Sequence, residues 1–496
     1  MARLGGNAVV LSAGRVRENG PVTSIVIIGG GPAGYEAALV AAQLGADVTV
    51  VERDGLGGAC VLADCVPSKT FIASSGALTS VRDSAELGVR AGQVAQSSLD
   101  PGTVHGRVNA LAAAQSADIR TRLAREGVVL IAGSARLADA APGLARHVVH
   151  VESADGGQDI DSDILLLATG ADPRILPGAE PDGERILSWR QVYELEEFPE
   201  HLVVVGSGVT GAEFASGYLE AGVPVTLVSS RDRVLPGEDA DAAEVLEQVF
   251  VKRGGQIVKQ ARASGVRRDR GGQSAGSGDG VIVSLEDGRE VRGSHALMTV
   301  GSIPNSGGLG LESAGVAVTA SGHITVDKVS RTNIAGIYAA GDVTGVWPLA
   351  SVAAMQGRVA MWHALGDAVA PIKLKTVAAN VFTHPEIATV GHSEKVIAER
   401  AMAADIIMLP LATNARAKMV DLRDGFVKLF CRRPTGVVIG GVVVAPGASE
   451  LILPIALAVQ NSLTAADLAH TFSIYPSLSG TITEAGRRLM TADDLS

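Results

Sequence analysis

The sequence is short of cysteine, aromatic residues, excess cations and long apolar runs, and each shortage removes a class of protein. Three cysteines in 496 residues cannot form the disulfide framework on which small secreted domains depend. What remains is reduced thiols, or one reactive pair and a bystander. Lys and Arg number 42 against 53 Asp and Glu, a formal net charge of −11. Such a chain lacks the basic footprint that attracts nucleic acid or an anionic membrane. The most apolar C-terminal stretch, Gly436 to Val459, is interrupted by Pro446, Gly447, Glu450 and Pro454. A membrane-spanning helix needs ~20 continuous apolar residues, so a buried strand followed by a buried helix is expected there. The N-terminus offers one early Arg and only a short apolar stretch, Ala8 to Leu11. A secretory signal needs an apolar region of ~7–15 residues, so a cytoplasmic location without membrane insertion is expected. Aromatics are only 3%, which leaves Ala, Val, Leu and Ile to build the core.

Glycine is what the sequence has in plenty: 60 residues, well above a background near ~7%. Apolar residues make 47% and charged residues 19%, a globular composition, and the length suits roughly three domains. Residues 1–21, Gly- and Arg-rich without a sustained period, read as a flexible leader. Order begins at Ser24-Ile-Val-Ile-Ile28, an apolar run ending in glycines that reads as a buried parallel strand. Helical Ala spacing from Gly34 to Leu44 and the run Ala46 to Val51 complete a βαβ unit. A second copy opens at Leu202-Val-Val-Val205 and returns at Val225-Thr-Leu-Val228. Asp163 to Gly170 reads as another buried strand, Ser264 to Gly280 as a surface loop or hairpin tip, and Ser351 as near the start of a helix. Beyond Thr376, Val427–Cys431 and Val437–Val444 read as strands of a mixed sheet, with helices after Ser449 and Thr464.

Both βαβ units carry the same glycine pattern. Gly29-Gly-Gly31-Pro-Ala-Gly34 satisfies G-x-G-x-x-G: one glycine for the turn, one for backbone approach to a pyrophosphate, and one for packing helix on strand. Glu52 follows 18 residues after Gly34 at the end of the next strand, where a carboxylate accepts from a ribose hydroxyl. Gly206-Ser-Gly208-Val-Thr-Gly211 is the second fingerprint, but its strand ends in Ser229-Ser230-Arg231-Asp232-Arg233 and not in an acid. A carboxylate there would repel a 2′-phosphate, whereas hydroxyls and a guanidinium fork suit one. NADPH is therefore expected in preference to NADH as the electron donor. The competing reading makes Arg231 and Arg233 solvated loop charges.

After the first unit stands Cys60-Val-Leu-Ala-Asp-Cys65-Val-Pro67-Ser68-Lys69. Thiols five apart reach one another only if the helix start is distorted, and a helix N-terminus with a nearby Lys favours a thiolate. Two buried small hydrophobes would be the plain reading of such cysteines; their place just after a dinucleotide loop argues against it.

With these landmarks, the chain resembles the flavin-dependent pyridine nucleotide–disulfide oxidoreductases, the group of lipoamide dehydrogenase, glutathione reductase and mercuric reductase. The matching elements run from Ile25 to the C-terminus and include C-x4-C-x-P-S-K, Ala168-Thr-Gly170 and the second fingerprint with Glu213. Gly301-Ser-Ile-Pro304-Asn305, Ala340-Gly341-Asp342 and Thr383-His-Pro385-Glu386 complete them. The resemblance implies two doubly wound dinucleotide-binding domains and a C-terminal α+β dimerisation domain. Its expected bounds are 22–180 for FAD, 181–300 for NAD(P)H, 301–370 for a central unit and 371–496 for the interface. It implies that Gly29, Gly31, Gly34, Glu52, Lys69, Gly133, Gly170, Gly341 and Asp342 bind FAD. Gly206, Gly208, Gly211, Ser229, Ser230, Arg231 and Gly301 would bind NAD(P)H. Cys60 would be the outer, interchange thiol, Cys65 the inner thiol stacked on the flavin, and Lys69 the partner of Glu213 near the flavin. A homodimer whose last domain completes the partner's site is also implied.

The pattern breaks in that last domain. The family has a His-Pro there with a Glu four residues after the proline, a dyad that moves the proton in dithiol–disulfide exchange. This sequence reads Tyr475-Pro476-Ser477-Leu478-Ser479-Gly480, with Tyr475 in place of the His and Gly480 in place of the Glu. A phenol titrates near ~10 and an imidazole near ~6.5, so the phenol is a poor base at neutral pH. General acid–base help is worth ~10²–10⁴-fold. Turnover of a disulfide should suffer, while hydride transfer from nicotinamide, which uses neither residue, should not. A quinone-type acceptor is therefore expected, since it takes electrons from flavin without protein-mediated exchange. The resemblance to the branch with quinone reductase activity points the same way. The alternatives are a disulfide reductase with another proton relay, or a non-catalytic FAD-bound subunit. Cys431 reads as strand packing. His384 and His392 lack metal-ligand spacing, and no metal is expected.

Overall fold

The structure, a computed structural model, describes residues 22–90, 97–138, 146–269 and 279–490. Residues 1–21, expected as a flexible leader, and 270–278, within the stretch expected as a loop or hairpin tip, lie outside the described residues. A seven-stranded sheet takes the order 337–339, 164–167, 24–28, 47–52, 129–137, 147–153, 156–162. Its first five strands are parallel and the last two return antiparallel. Strand residues Ile25–Ile28 and Ile164–Leu167 are buried, as a parallel sheet covered on both faces requires. Helix Pro32–Gln43 covers this sheet, and helix Ala350–Ala364 packs along it. Strand Ile337–Ala339 joins the sheet that opens at Ser24, so part of the stretch expected as a central unit completes the first domain's sheet.

A second, five-stranded sheet is parallel throughout, in the order 256–258, 225–228, 202–205, 295–298, 186–188. An antiparallel three-stranded flap, 263–269, 280–285 and 290–293, leans on it. The start of the stretch that read as a surface loop or hairpin tip, 264–269, is thus part of the first strand of a hairpin.

The C-terminal unit corrects one expectation and refines another. Its five strands, 378–381, 386–391, 437–445, 426–432 and 404–410, form a purely antiparallel sheet and not a mixed one. No helical crossover joins 426–432 to 437–445; the four-residue link permits only a hairpin. Helix Leu453–Asn461 buries Ile455 and Ala458 but leaves Leu453 and Leu457 exposed. The helix expected to be buried there is buried along one face. No helix of the described residues is long and apolar enough to cross a membrane.

Candidate active site

Both glycine turns stand between a buried strand and a helix, and the space around each glycine differs by position. A Cβ on Gly29, whose φ is +104°, would lie 2.3 Å from the Ala168 carbonyl oxygen, and one on Gly34 1.8 Å from that of Gly29. In the second copy a Cβ on Gly206 would meet the Thr299 carbonyl at 2.3 Å, and one on Gly211 that of Gly206 at 2.0 Å. The middle glycines are different. Gly208 has nothing within 4 Å of its missing Cβ, and Gly31 has only the Gly58 Cα at 4.0 Å. The outer glycines serve the fold. The middle ones leave open backbone at a helix N-terminus, the cradle that a pyrophosphate fills.

Glu52 is held at the first turn, where its carboxylate accepts from the backbone N–H of Gly30 (2.6 Å), Asp54 (2.7 Å) and Gly55 (3.1 Å). Gly133 stands one residue beyond the partner of Glu52 in the neighbouring strand. A Cβ there would lie 2.3 Å from the Glu152 carbonyl oxygen, so pairing within the hairpin already accounts for this glycine. Thr169 and Asn305 clasp two distant motifs: the Thr169 hydroxyl donates to the Asn305 carbonyl (2.7 Å), and the Asn305 backbone N–H donates to Gly170 (3.0 Å). Gly301 accepts from the Arg174 N–H at 2.9 Å. The Gly341 N–H donates to the buried Gln356 side chain at 2.9 Å, and burial raises the neighbouring Asp342 carboxyl, with Asp64 adding to the effect.

At the end of strand Val225–Val228 the three expected contacts separate. Ser229 is fully buried, and its hydroxyl pairs with that of Ser207 at 2.7 Å. It therefore secures the loop and does not face solvent. Ser230 and Arg231 are exposed, and Arg231 has no ion pair among the described residues.

The dithiol follows from a broken helix. Helix Gly58–Leu62 ends at Ala63 and helix Cys65–Asp83 starts two residues later, the distortion that the five-residue spacing demanded. Cys60 and Cys65 are free thiols. Each thiol bears on the other: Cys65 holds Cys60 below the usual thiol range, while Cys60 and burial push Cys65 well above it. Lys69, one turn into the second helix, donates to Glu213 Oε2 at 2.7 Å. The other Glu213 oxygen accepts from the Phe382 backbone N–H at 2.9 Å, and the Lys69 ammonium lies 5.0 Å from the Phe382 ring. Burial opposes the Lys69 charge, but Glu213, Cys65 and Asp64 together outweigh it and keep the ammonium form.

Asp64 is the group the sequence reading passed over. It occupies the N-cap of helix Cys65–Asp83 yet makes no capping hydrogen bond, and burial raises its carboxyl against the pull of Lys69 and Arg190. An acid directly before the second cysteine was visible in the sequence, but spacing gave no sign that it turns away from its cap.

Tyr475 is 85% exposed, and its neighbours Phe472 and Ile474 are exposed as well. Within one chain it stands on the surface of the C-terminal unit and not against the dithiol. A cavity of about 270 Å³ opens beside it, lined by Asn414, Ser473, Ser477, Gly480, Glu484 and Arg487 among others. Its carboxylate, Glu484, accepts from Arg487 Nε (2.7 Å) and Arg488 Nε (2.8 Å). Those guanidinium groups, Arg487 first, hold the Glu484 carboxyl down to about 2, which removes it as a base at neutral pH.

Comparison with known proteins agrees with this layout. The pyridine nucleotide-disulphide oxidoreductase family matches residues 23–357, and the dimerisation domain of that family matches residues 377–486. The chain is 60% identical to an NAD(P)H dehydrogenase (quinone) of Mycobacterium tuberculosis over 96% of this chain and 95% of the relative. It is 32% identical to the dihydrolipoyl dehydrogenase of Geobacillus stearothermophilus over 93% and 95%. The crystal structure of LpdA from Mycobacterium tuberculosis superposes with a TM-score of 0.89 at 60% identity, covering 95% of this chain and all of that one. The flavoprotein disulfide reductase RclA from Escherichia coli, 24% identical, shares the fold with a TM-score of 0.81 over 94% and 99% of the two chains.

Proposed function

Because the chain belongs to the pyridine nucleotide-disulphide oxidoreductase family, we propose that it passes electrons from NAD(P)H through FAD to a quinone-type acceptor. The family uses FAD and NAD(P)H, and the open middle glycines above two helix N-termini fit two dinucleotides. When bound, FAD supplies a two-electron relay between nicotinamide and acceptor. The chain's residues bind and orient it: Gly29, Gly31 and Gly34 admit the pyrophosphate, Glu52 meets the ribose, and Asp342 meets the ribityl chain. Gly170 borders the same cleft, Lys69, bonded to Glu213, sits at its reacting end, and Gly133 serves its own hairpin. Gly206, Gly208 and Gly211 take the nicotinamide nucleotide, with Gly301 at its edge. Ser230 and Arg231 are open at a strand end that carries no acid, which favours a 2′-phosphate and hence NADPH.

The observation that carries the quinone reading is the C-terminal loop. Tyr475 and Gly480 replace an imidazole and a carboxylate, and the cavity's one carboxylate, Glu484, is tied to two arginines. The nucleotide side keeps Lys69 bonded to Glu213. Electrons can therefore enter normally, while the protein lacks the base that dithiol–disulfide exchange with an external disulfide requires. The relative named as a quinone dehydrogenase supports the same reading. The matched dimerisation domain supports a homodimer in which Tyr475 reaches the partner's dithiol. Three cysteines without a disulfide framework support a cytoplasmic protein.

Anaerobic titration of the FAD-loaded protein with NADPH, followed by a benzoquinone or lipoamide, tests this reading. The flavin band should bleach with about one equivalent of NADPH and recover at once with the quinone but slowly with lipoamide. Absence of bleaching would leave a non-catalytic subunit, and fast recovery with lipoamide would leave a disulfide reductase.

A further inference from the structure

Lys428 lies on the central part of strand Phe426–Arg432 and is 2% exposed. Its ammonium donates to both carboxylate oxygens of Asp239 (2.9 and 2.8 Å), to Asp241 (2.5 Å) and to Glu394 (3.0 Å). Asp239 is buried with it, whereas Asp241 and Glu394 are half-exposed. A buried ammonium needs partners of this kind to remain charged. The pair joins two units, for Lys428 belongs to the C-terminal antiparallel sheet and Asp239 caps helix Ala240–Lys252 beside the second parallel sheet.

Asp239 also ends the segment that begins at Ser229. That segment is fixed to the second glycine turn twice. The Ser229 hydroxyl pairs with Ser207, and the Leu235 N–H donates to the Ser207 carbonyl at 2.8 Å. Leu235, buried and at φ +51°, plugs the segment against that turn. Segment 229–239 and the turn therefore move as one body, which offers Ser230 and Arg231 at one end and is nailed to the C-terminal sheet by Lys428 at the other.

We propose that Lys428 is a positioning residue for the nicotinamide nucleotide: from the dimerisation unit it sets the place of the segment that presents Ser230 and Arg231 to a 2′-phosphate. The inference rests on the reading of those two residues given above. It assigns the dimerisation unit a part in nucleotide choice that is separate from completing a partner's site.

The test uses the FAD-loaded protein and compares Lys428→Met with the pair Lys428→Met/Asp239→Asn. The pair removes both buried charges and leaves Asn, an equally good helix cap. Dissociation constants for NADPH and NADH are read by titration, alongside kcat with a benzoquinone. NADPH affinity should fall about tenfold and NADH affinity no more than about twofold, with kcat close to that of the wild type. Should Lys428→Met fail to fold, the charge-free pair carries the measurement. Asp241→Asn, which removes one half-exposed contact, should give a smaller shift of the same sign. Unchanged NADPH affinity in the folded pair, or an equal loss for both nucleotides, overturns the proposal. Arg231→Ala separates it from its premise. If Arg231→Ala weakens NADPH and the folded pair does not, the coupling is wrong. If Arg231→Ala leaves NADPH unaffected, the phosphate reading itself is wrong.

Discussion

Two residues, Asp64 and Cys431, show how local surroundings decide whether a thiol can react. Cys431 is buried on its strand, and burial together with Asp405 pushes its thiol up to about 12. The thiolate is the reactive form, so iodoacetamide at pH 8 should label Cys60 and spare Cys431. Peptide mapping showing Cys431 among the first sites modified would refute this. Asp64 works against ionisation of both thiols, opposing the lowering of Cys60 and adding to the rise of Cys65. Asp64→Asn should lower the pH midpoint of Cys60 alkylation by about one unit, with Asp64→Glu close to wild type; an unchanged midpoint in Asp64→Asn would show that the carboxyl does not face the thiols. The cysteines, Lys69 and Glu213 were legible in the sequence. The spacing of Glu484 to arginines three and four residues on was readable too; what the sequence did not show is that this carboxylate lines the cavity beside Tyr475.

At the scale of elements the glycine turns were read correctly, since their requirements are met within a few residues by φ, turn and helix packing. Their different tolerances are the testable part. Gly34→Ala forces a methyl group into the Gly29 carbonyl. It should lower Tm by several degrees and release FAD. Gly208→Ala meets no protein atom. It should leave Tm within a degree while weakening NAD(P)H at least tenfold, because the methyl occupies the ligand's space. Equal Tm losses in the two variants would mean that the middle glycine serves the fold instead. Less legible was anything set by distant pairing. The antiparallel C-terminal sheet was expected to be mixed, because apolar runs do not reveal strand direction. Ser229 was expected to face the nucleotide, and instead its hydroxyl turns inward to Ser207. The Lys428 cluster joins residues nearly 190 positions apart, and no local pattern announces it.

Over the whole molecule, charge that folding has buried or bound sets the acid limb of stability. His295 is held down to about 4 by burial, with Arg185 and Arg268 adding to the effect. An unfolded His titrates near ~6.5. The unfolded chain therefore binds the extra proton first, and stability falls as pH drops from about 6.5 toward 4. Asp182 is partly buried, which favours its neutral form, but the backbone N–H groups of Ile186, Glu184 and Arg185 and the Arg268 side chain hold it down to about 2. Glu484 is held as low by its arginines. Both are deprotonated in the fold before they are in the unfolded chain, so their stabilisation disappears between about pH 4 and 2. Thermal unfolding should show two declines, and His295→Gln should shrink the first, with His105, His201, His384 and His392, likewise lowered by burial, supplying the rest. A Tm that stays constant from pH 7 to 4.5 would contradict this.

The central claim is that electrons leave the flavin for a small acceptor without passing through Cys60. It is tested most directly by NADPH-driven reduction of a benzoquinone by Cys60→Ser protein loaded with FAD. The rate should stay within about twofold of wild type, with lipoamide turnover negligible in both. A collapse of the quinone rate, by 10²-fold or more (roughly the scale of a lost general acid–base), would place the thiol on the electron path and contradict the account.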